Sequence, residues 1–107
     1  MYEIDIYKTE GGKEPFIEWK DSLEIYTQAR IDARLRKIEC SGHLGDSHLV
    51  QSGVHELRFD FGPGYRVYYG MRKKKIIILI SGGSKRGPSR DIGKAVEYWK
   101  EYLSSQK

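Results

Sequence analysis

Hydrophobic and polar positions alternate along residues 54–61 and 65–69, and an apolar run follows at 76–80; together they predict three consecutive antiparallel strands. The first strand covers residues 54–61, a Gly-Pro-Gly sequence at 62–64 makes the turn, and the second strand covers residues 65–69. The third strand, at 75–80, is apolar at every position after Lys75. Such a run is typical of a strand that is covered on both faces.

The two faces of the first hairpin predict its register. A three-residue turn leaves one face wholly apolar or aromatic and the other face polar. On the polar face, it places Asp60 opposite Arg66 and Arg58 opposite Tyr68. A slip by one residue would mix the two faces. We therefore expect Arg58, Arg66 and Tyr68 to point side by side, away from the core.

The remaining elements are one strand and three helices. Residues 2–7 alternate and predict a strand that could lie beside the last one. One helix begins at Glu14-Pro15, and a second spans about residues 27–39 and ends at Ser41-Gly42. Residues 43–53 are interpreted as a loop, and Ser89 or Asp91 is expected to cap a last helix with an apolar stripe.

These elements predict a single α+β domain over residues 1–107. It combines a small antiparallel sheet, in the order β-α-α-β-β-β-α, with an N-terminal helical hairpin and a C-terminal helix packed on the sheet. No apolar run approaches the ~20 residues that cross a bilayer. The chain has a single cysteine and no charged-then-apolar leader, so we expect a cytoplasmic protein.

The positive charge is concentrated in one half of the chain. Residues 58–90 contain nine Lys or Arg and one acid, a net charge of +8, so the total of +4 leaves −4 for the remainder. A basic half predicts a polyanionic partner, either nucleic acid or an acidic protein segment. The four cations at 72–75 alone are typical of a solvated hairpin tip, but Arg58, Arg66 and Lys85 lie on or beside strands.

Two other patterns argue against particular classes of site. The Gly-rich loop at 81–88 could direct backbone N–H groups toward a phosphate, but it lacks the spacing of a nucleotide-binding P-loop. His43 and His48 have no cysteine or carboxylate at a familiar ligand spacing, so we expect no metal site there.

The segments GVHELRFDFGPGYRVYYG and IIILISGGSKRGPSRDIGKAVEYW resemble the RelE/ParE toxin superfamily of type II toxin–antitoxin modules. More narrowly, they resemble its phage-derived, HigB-like addiction module killer branch. The similarity spans nearly the whole chain and includes Gly45-Asp46 after the helical pair. It implies a RelE-like fold and an mRNA interferase, an endoribonuclease that cuts mRNA on the ribosome without metal or cofactor. It also implies a cognate antitoxin, usually a small helix-turn-helix protein.

By position, the family's cationic catalytic residues correspond to Arg58, Arg66 and Lys85. When a 2′-OH attacks the adjacent phosphate, fixed cations are needed to stabilise the negative charge that accumulates. The residues predicted to bind RNA around this site are Tyr68, Arg72, Lys73, Lys74, Lys75 and Arg86.

Proton transfer is where this chain departs from the family. Several relatives place a Tyr or His near the last helix, where this chain has Gly-Pro-Ser-Arg at 87–90. The available substitutes are His55, Tyr68 and Lys85.

Two alternative functions fit the same pattern. One is a non-catalytic, ParE-like toxin that poisons a protein target such as DNA gyrase, and the other is a degenerate toxin that serves only as an antitoxin-binding module. A stabilising role for the arginines is a further alternative, because Asp60 and Glu56 could pair with Arg58 and Arg66.

Overall fold

A five-stranded mixed sheet carries helices on both of its faces, which makes the protein an α+β fold. The structure is a computed structural model and describes residues 1–106. The strands are β1 (Glu3–Ile6), β2 (Ser47–Gln51), β3 (Val54–Arg58), β4 (Tyr65–Arg72) and β5 (Ile76–Ser84). The helices are α1 (Pro15–Asp21), α2 (Ile25–Ser41) and α3 (Pro88–Ser105).

The strand order across the sheet is β1-β5-β4-β3-β2. Strands β2 to β5 pair antiparallel, whereas β1 pairs parallel with β5, with Ile4 opposite Ile77. The first strand therefore lies beside the last one, but the expectation of a wholly antiparallel sheet is wrong. A tight hairpin dictates an antiparallel pair, whereas the long connection between β1 and β5 leaves the strand direction free.

Strand β2 is the element that the sequence pattern missed. Its residues belong to the segment interpreted as a loop, yet they pair with β3, and Leu49 lies opposite His55. Ser52 and Gly53 both have positive φ, at 49° and 85°, as a two-residue hairpin turn requires. Because β2 is an edge strand with mostly exposed side chains, it lacks the apolar alternation that identifies a strand.

The sheet separates two hydrophobic cores. On one face, α1 and α2 cover the sheet through Phe16, Ile31 and Ile38, which pack with Leu57, Tyr69 and Leu79. On the other face, α3 contributes Ala95, Val96 and Trp99, which pack with Tyr68, Ile78 and Ile80. Alternate residues of β5 enter both cores, so the prediction that this strand is covered on both faces is confirmed.

The helix ends follow the sequence signals in two cases out of three. Pro15 lies in the first turn of α1, and α2 ends at Gly42 with φ of 76°. The cap of α3 is Gly87, so the expectation of a Ser89 or Asp91 cap is wrong. No helix of residues 1–106 is both long enough and apolar enough to cross a bilayer.

Candidate functional site

Two arginines face each other across β3 and β4, because Arg58 pairs directly with Arg66. The expected pairs, Arg58 with Tyr68 and Asp60 with Arg66, are wrong by two residues. The hairpin turn is longer than expected, since β3 ends at Arg58 and β4 begins at Tyr65. A shift of two residues keeps every side chain on its face, and Arg58 and Arg66 therefore still share one side of the sheet.

Glu56 lies beneath both arginines and has no exposed side-chain surface. Its Oε1 accepts a hydrogen bond from Nε of Arg58 at 2.6 Å, and its Oε2 accepts one from a terminal nitrogen of Arg66 at 3.4 Å. Two like charges placed directly opposite on a sheet repel each other. The buried carboxylate offsets this repulsion and holds the two guanidinium groups side by side. Glu56 also raises the pKa of Arg58 through its hydrogen bond and its charge.

Lys85 joins the two arginines because it follows β5 directly and packs against the turn between β3 and β4. A Cβ on Gly64 would lie 3.3 Å from the Cβ of Lys85. The three cations thus line one open concavity of about 230 Å³. Its other lining residues are Asp46, Phe59, Asp60, Gly64 and Tyr65. The structure therefore brings together the three residues that the sequence predicted as catalytic.

Tyr68 does not belong to the exposed face of this concavity. Its side chain is completely buried under α3, so the expectation that it points away from the core beside the arginines is wrong. The alternation correctly assigned Tyr68 to the polar face, but α3 packs over this part of that face. Burial raises the pKa of Tyr68 to about 12, the charges of Asp91 and Glu56 add to this effect, and the nearby Arg66 guanidinium acts in the opposite direction. Among residues 1–106, its hydroxyl finds no hydrogen-bond partner.

Asp91, in the first turn of α3, lies directly over Gly83 of β5. A Cβ at position 83 would come within 2.2 Å of the Asp91 carboxylate, and Gly83 is the strand neighbour of Arg66. Burial raises the pKa of Asp91, and the nearby Arg90 acts in the opposite direction. The missing side chain at Gly83 is thus what allows α3 to begin this close to Arg66.

A second concavity of about 290 Å³ adjoins the first. Both are lined by Asp46, Arg58, Phe59 and Asp60, and the second also contains Arg30, Arg34 and Phe61. Arg34 has a structural role, because its guanidinium donates hydrogen bonds to the carbonyl oxygens of Leu44, Asp46 and Arg58. Burial lowers the pKa of Arg34.

The remaining basic residues predicted to bind RNA lie elsewhere. Arg72 ends β4, and residues 73–75 form the turn between β4 and β5, at the end opposite to Arg66. Arg72 lies six positions along the strand from Arg66, which corresponds to roughly 20 Å. Arg72 donates a hydrogen bond to the Tyr102 hydroxyl at 3.3 Å, whereas Arg86 is exposed and follows Lys85 directly.

The three residues that could replace the missing Tyr or His in proton transfer lie in different environments. His55 lies on the opposite face and stacks on Tyr69 with a centroid distance of 5.1 Å, and burial lowers its pKa. Tyr68 is sealed under α3, so only Lys85 lines the concavity. The carboxylate of Asp46 was missed as a site residue, although it belongs to the Gly-Asp loop; its Oδ1 lies 2.7 Å from Nε2 of His48.

This chain is similar to a protein of Haemophilus influenzae. An uncharacterized protein of Haemophilus influenzae (strain ATCC 51907 / DSM 11121 / KW20 / Rd) is 37% identical over 81 residues. The alignment covers 75% of this chain and 81% of the relative. The chain belongs to the same family as that protein. No family model matches the sequence.

Proposed function

We propose that this protein is the toxin of a type II toxin–antitoxin system, in the HigB-like branch of the RelE/ParE superfamily. It acts in the cytoplasm and cuts mRNA on the ribosome without a metal ion. The observation that carries this proposal is the convergence of Arg58, Arg66 and Lys85 on one open concavity. The α+β fold supports it, with α1 and α2 as the helical hairpin of a RelE-like domain.

The cations supply what phosphoryl chemistry on RNA demands. The 2′-oxygen attacks the adjacent phosphorus, the bond to the 5′-oxygen breaks, and negative charge accumulates on the phosphate oxygens. Arg58 and Arg66 hold two guanidinium groups toward these oxygens, and Lys85 adds a third positive charge. Because Glu56 fixes both arginines beforehand, little reorganisation is needed during the reaction.

Asp46 and Lys85 carry out the proton transfers, with Asp46 as the base and Lys85 as the acid. Asp46 lines the concavity and forms a hydrogen-bonded pair with His48, and this pair accepts the proton of the 2′-OH. The Lys85 ammonium donates a proton to the leaving 5′-oxygen. The protons and the leaving group then balance without any group from outside the protein and its substrate.

An antitoxin, a small helix-turn-helix protein, would inhibit the toxin by covering the concavity. Five cations line the two adjoining concavities, namely Arg30, Arg34, Arg58, Arg66 and Lys85. An acidic segment that covers them would bind less tightly as salt is added. Equal affinity at low and high salt would contradict this charge-driven version of inhibition.

The deciding experiment compares Lys85→Ala with Lys100→Ala. Both lysines are exposed, and neither forms an ion pair with another described residue, so each variant removes one surface charge and preserves the fold. Each protein is expressed in bacteria without antitoxin, and mRNA 5′ ends are mapped. We expect growth arrest with codon-positioned cuts for the wild type and for Lys100→Ala, and a loss of roughly 10²–10³ in cutting for Lys85→Ala.

Other outcomes would support the alternatives. Arrest with intact mRNA and damaged DNA would indicate a gyrase poison. No arrest in any of the strains would indicate an interaction module. An Arg66→Ala variant tests one of the two arginines of the sheet in the same way. Its stability must be measured alongside its activity, because Arg66 also pairs with the buried Glu56.

A further inference from the structure

Arg30 is the cation in the second concavity that the fold does not use. Its side chain is exposed, and its guanidinium lies 3.8 Å from the ring centroid of Phe61 and 5.9 Å from that of Tyr26. Within the described part of the chain, it forms neither an ion pair nor a side-chain hydrogen bond, in contrast to Arg34 one turn later. The guanidinium of Arg30 thus contacts an aromatic ring, and its N–H groups have no hydrogen-bond acceptor among the described residues.

The position of this stack next to the cationic site is the second observation. Asp46, Arg58, Phe59 and Asp60 form a common wall of the two concavities. A phosphate held between Arg58, Arg66 and Lys85 therefore has the Arg30–Phe61 stack as its immediate neighbour across Arg58. A single-stranded RNA that crosses this wall presents a base on one side and the phosphate on the other.

We propose that the Arg30–Phe61 stack is a subsite for a nucleobase that flanks the phosphate at Arg58, Arg66 and Lys85. This inference rests on the function proposed above, because it takes RNA as the ligand. Guanidinium planes and aromatic rings are the surfaces on which proteins stack unpaired RNA bases. The Phe61 ring supports the guanidinium, and in this proposal the base stacks on the exposed part of the Arg30 side chain.

Asp60 gives this subsite a chemical preference. Its exposed carboxylate lines both concavities, and it makes no hydrogen bond or ion pair with another residue of the 1–106 segment. Carboxylates accept hydrogen bonds from exocyclic amino groups, such as N4 of cytosine. The subsite therefore favours a base with an amino group over uracil.

The test uses the purified protein and a short single-stranded RNA that carries 2-aminopurine next to a 2′-O-methyl nucleotide, which blocks the attack on the phosphate. Stacking on the subsite quenches the 2-aminopurine fluorescence. For Arg30→Ala, we expect the quench to disappear and the affinity to fall about 10-fold. Arg36→Ala is the matched control, because Arg36 is an exposed arginine of the same helix that lines neither concavity.

Unchanged quenching and affinity in Arg30→Ala would overturn the subsite. Mapped cuts in natural RNA provide the separate test of the nuclease. Cuts by the wild type without any Arg30-dependent quenching would remove the subsite and leave the nuclease. Arg30-dependent quenching without cuts would support the subsite and contradict the nuclease. As a second variant, Asp60→Asn should make RNAs with cytosine or uracil at the subsite position equally effective competitors of the 2-aminopurine RNA, and an unaltered preference for cytosine would overturn the role of Asp60.

Discussion

Glu56 and Arg58 form a hydrogen bond of 2.6 Å in which the carboxylate is completely buried and the guanidinium side chain is 44% exposed. The same carboxylate reaches Arg66, whose side chain is 18% exposed. The arginines therefore serve both as the exposed cations of the concavity and as the counter-charges of a buried acid. A variant of either arginine changes the stability of the fold as well as the chemistry of the site.

For Arg66→Ala, we expect a loss of about 1–3 kcal/mol in the free energy of unfolding, because Glu56 loses one of its two charged partners. Adding Glu56→Gln in the same chain should restore most of this loss, since no buried charge then remains poorly compensated. Urea denaturation of the wild type, both single variants and the double variant gives the coupling free energy. Additive effects of the two substitutions would contradict the shared role of Glu56.

For Tyr68→Phe, we expect greater resistance to alkali. The pKa of Tyr68 is raised from 10.0 to about 12, so the folded protein keeps a proton that the unfolded chain loses. The stabilisation is complete below pH 10 and is lost as the pH rises through 12. The wild type should thus lose about 1–1.5 kcal/mol between pH 9 and pH 11, and about 2–3 kcal/mol by pH 12, that the variant does not lose.

Urea denaturation at pH 9 and at pH 11 checks this expectation, with Tyr26→Phe as the control because that side chain is 67% exposed. At neutral pH, Tyr68→Phe should be as stable as the wild type, since the hydroxyl has no hydrogen-bond partner within residues 1–106. A large loss of stability at neutral pH would indicate that the hydroxyl is paired.

Two glycine substitutions should have opposite effects on stability. A Cβ at Gly82 would lie 2.2 Å from the Trp19 ring, so Gly82→Ala forces α1 away from β5 and should cost about 1–3 kcal/mol. Gly93, inside α3, has nothing within 4 Å of the added atom. Gly93→Ala should therefore stabilise the protein by about 1 kcal/mol. Thermal unfolding of both variants tests the two contacts, and equal shifts would contradict the packing of Trp19 on Gly82.

For Asp46→Asn, we expect the rate of RNA cutting to fall by roughly 10²–10⁴, because the amide cannot accept the proton of the 2′-OH. The fold should be unaffected, since the loop is held by the backbone carbonyl of residue 46, which accepts hydrogen bonds from Arg34 and from the Arg58 N–H. Primer extension on a cut mRNA measures the rate, and Asp5→Asn, on the edge strand β1, is the control. Cutting at the wild-type rate by Asp46→Asn would eliminate this residue as the base.

Much of the local structure followed from periodicity. Side chains alternate along a strand, so the order of residues alone assigned Arg58 and Arg66 to the same face, and a register shift of two residues did not change this. The run of apolar residues in β5 likewise predicted burial on both faces, as α1, α2 and α3 provide. This pattern brought Arg58 and Arg66 together, whereas Lys85 was assigned to the site only through the family resemblance, and all three line one concavity.

Relationships between distant parts of the chain were decided by the tertiary structure. The parallel direction of β1, the pairing of β2 and the burial of Tyr68 under α3 each depend on which element packs where, and periodicity carries no information about that. The cross-strand partners of Arg58 and Arg66 also depended on the turn between β3 and β4, which is longer than the Gly-Pro-Gly sequence predicted. The sequence alone determined which side of the sheet each residue of β3, β4 and β5 occupies, because the side chains of a strand alternate every two residues. Only the folded chain determined that Glu56 is sealed beneath two arginines, because burial is produced by neighbours that are remote in sequence.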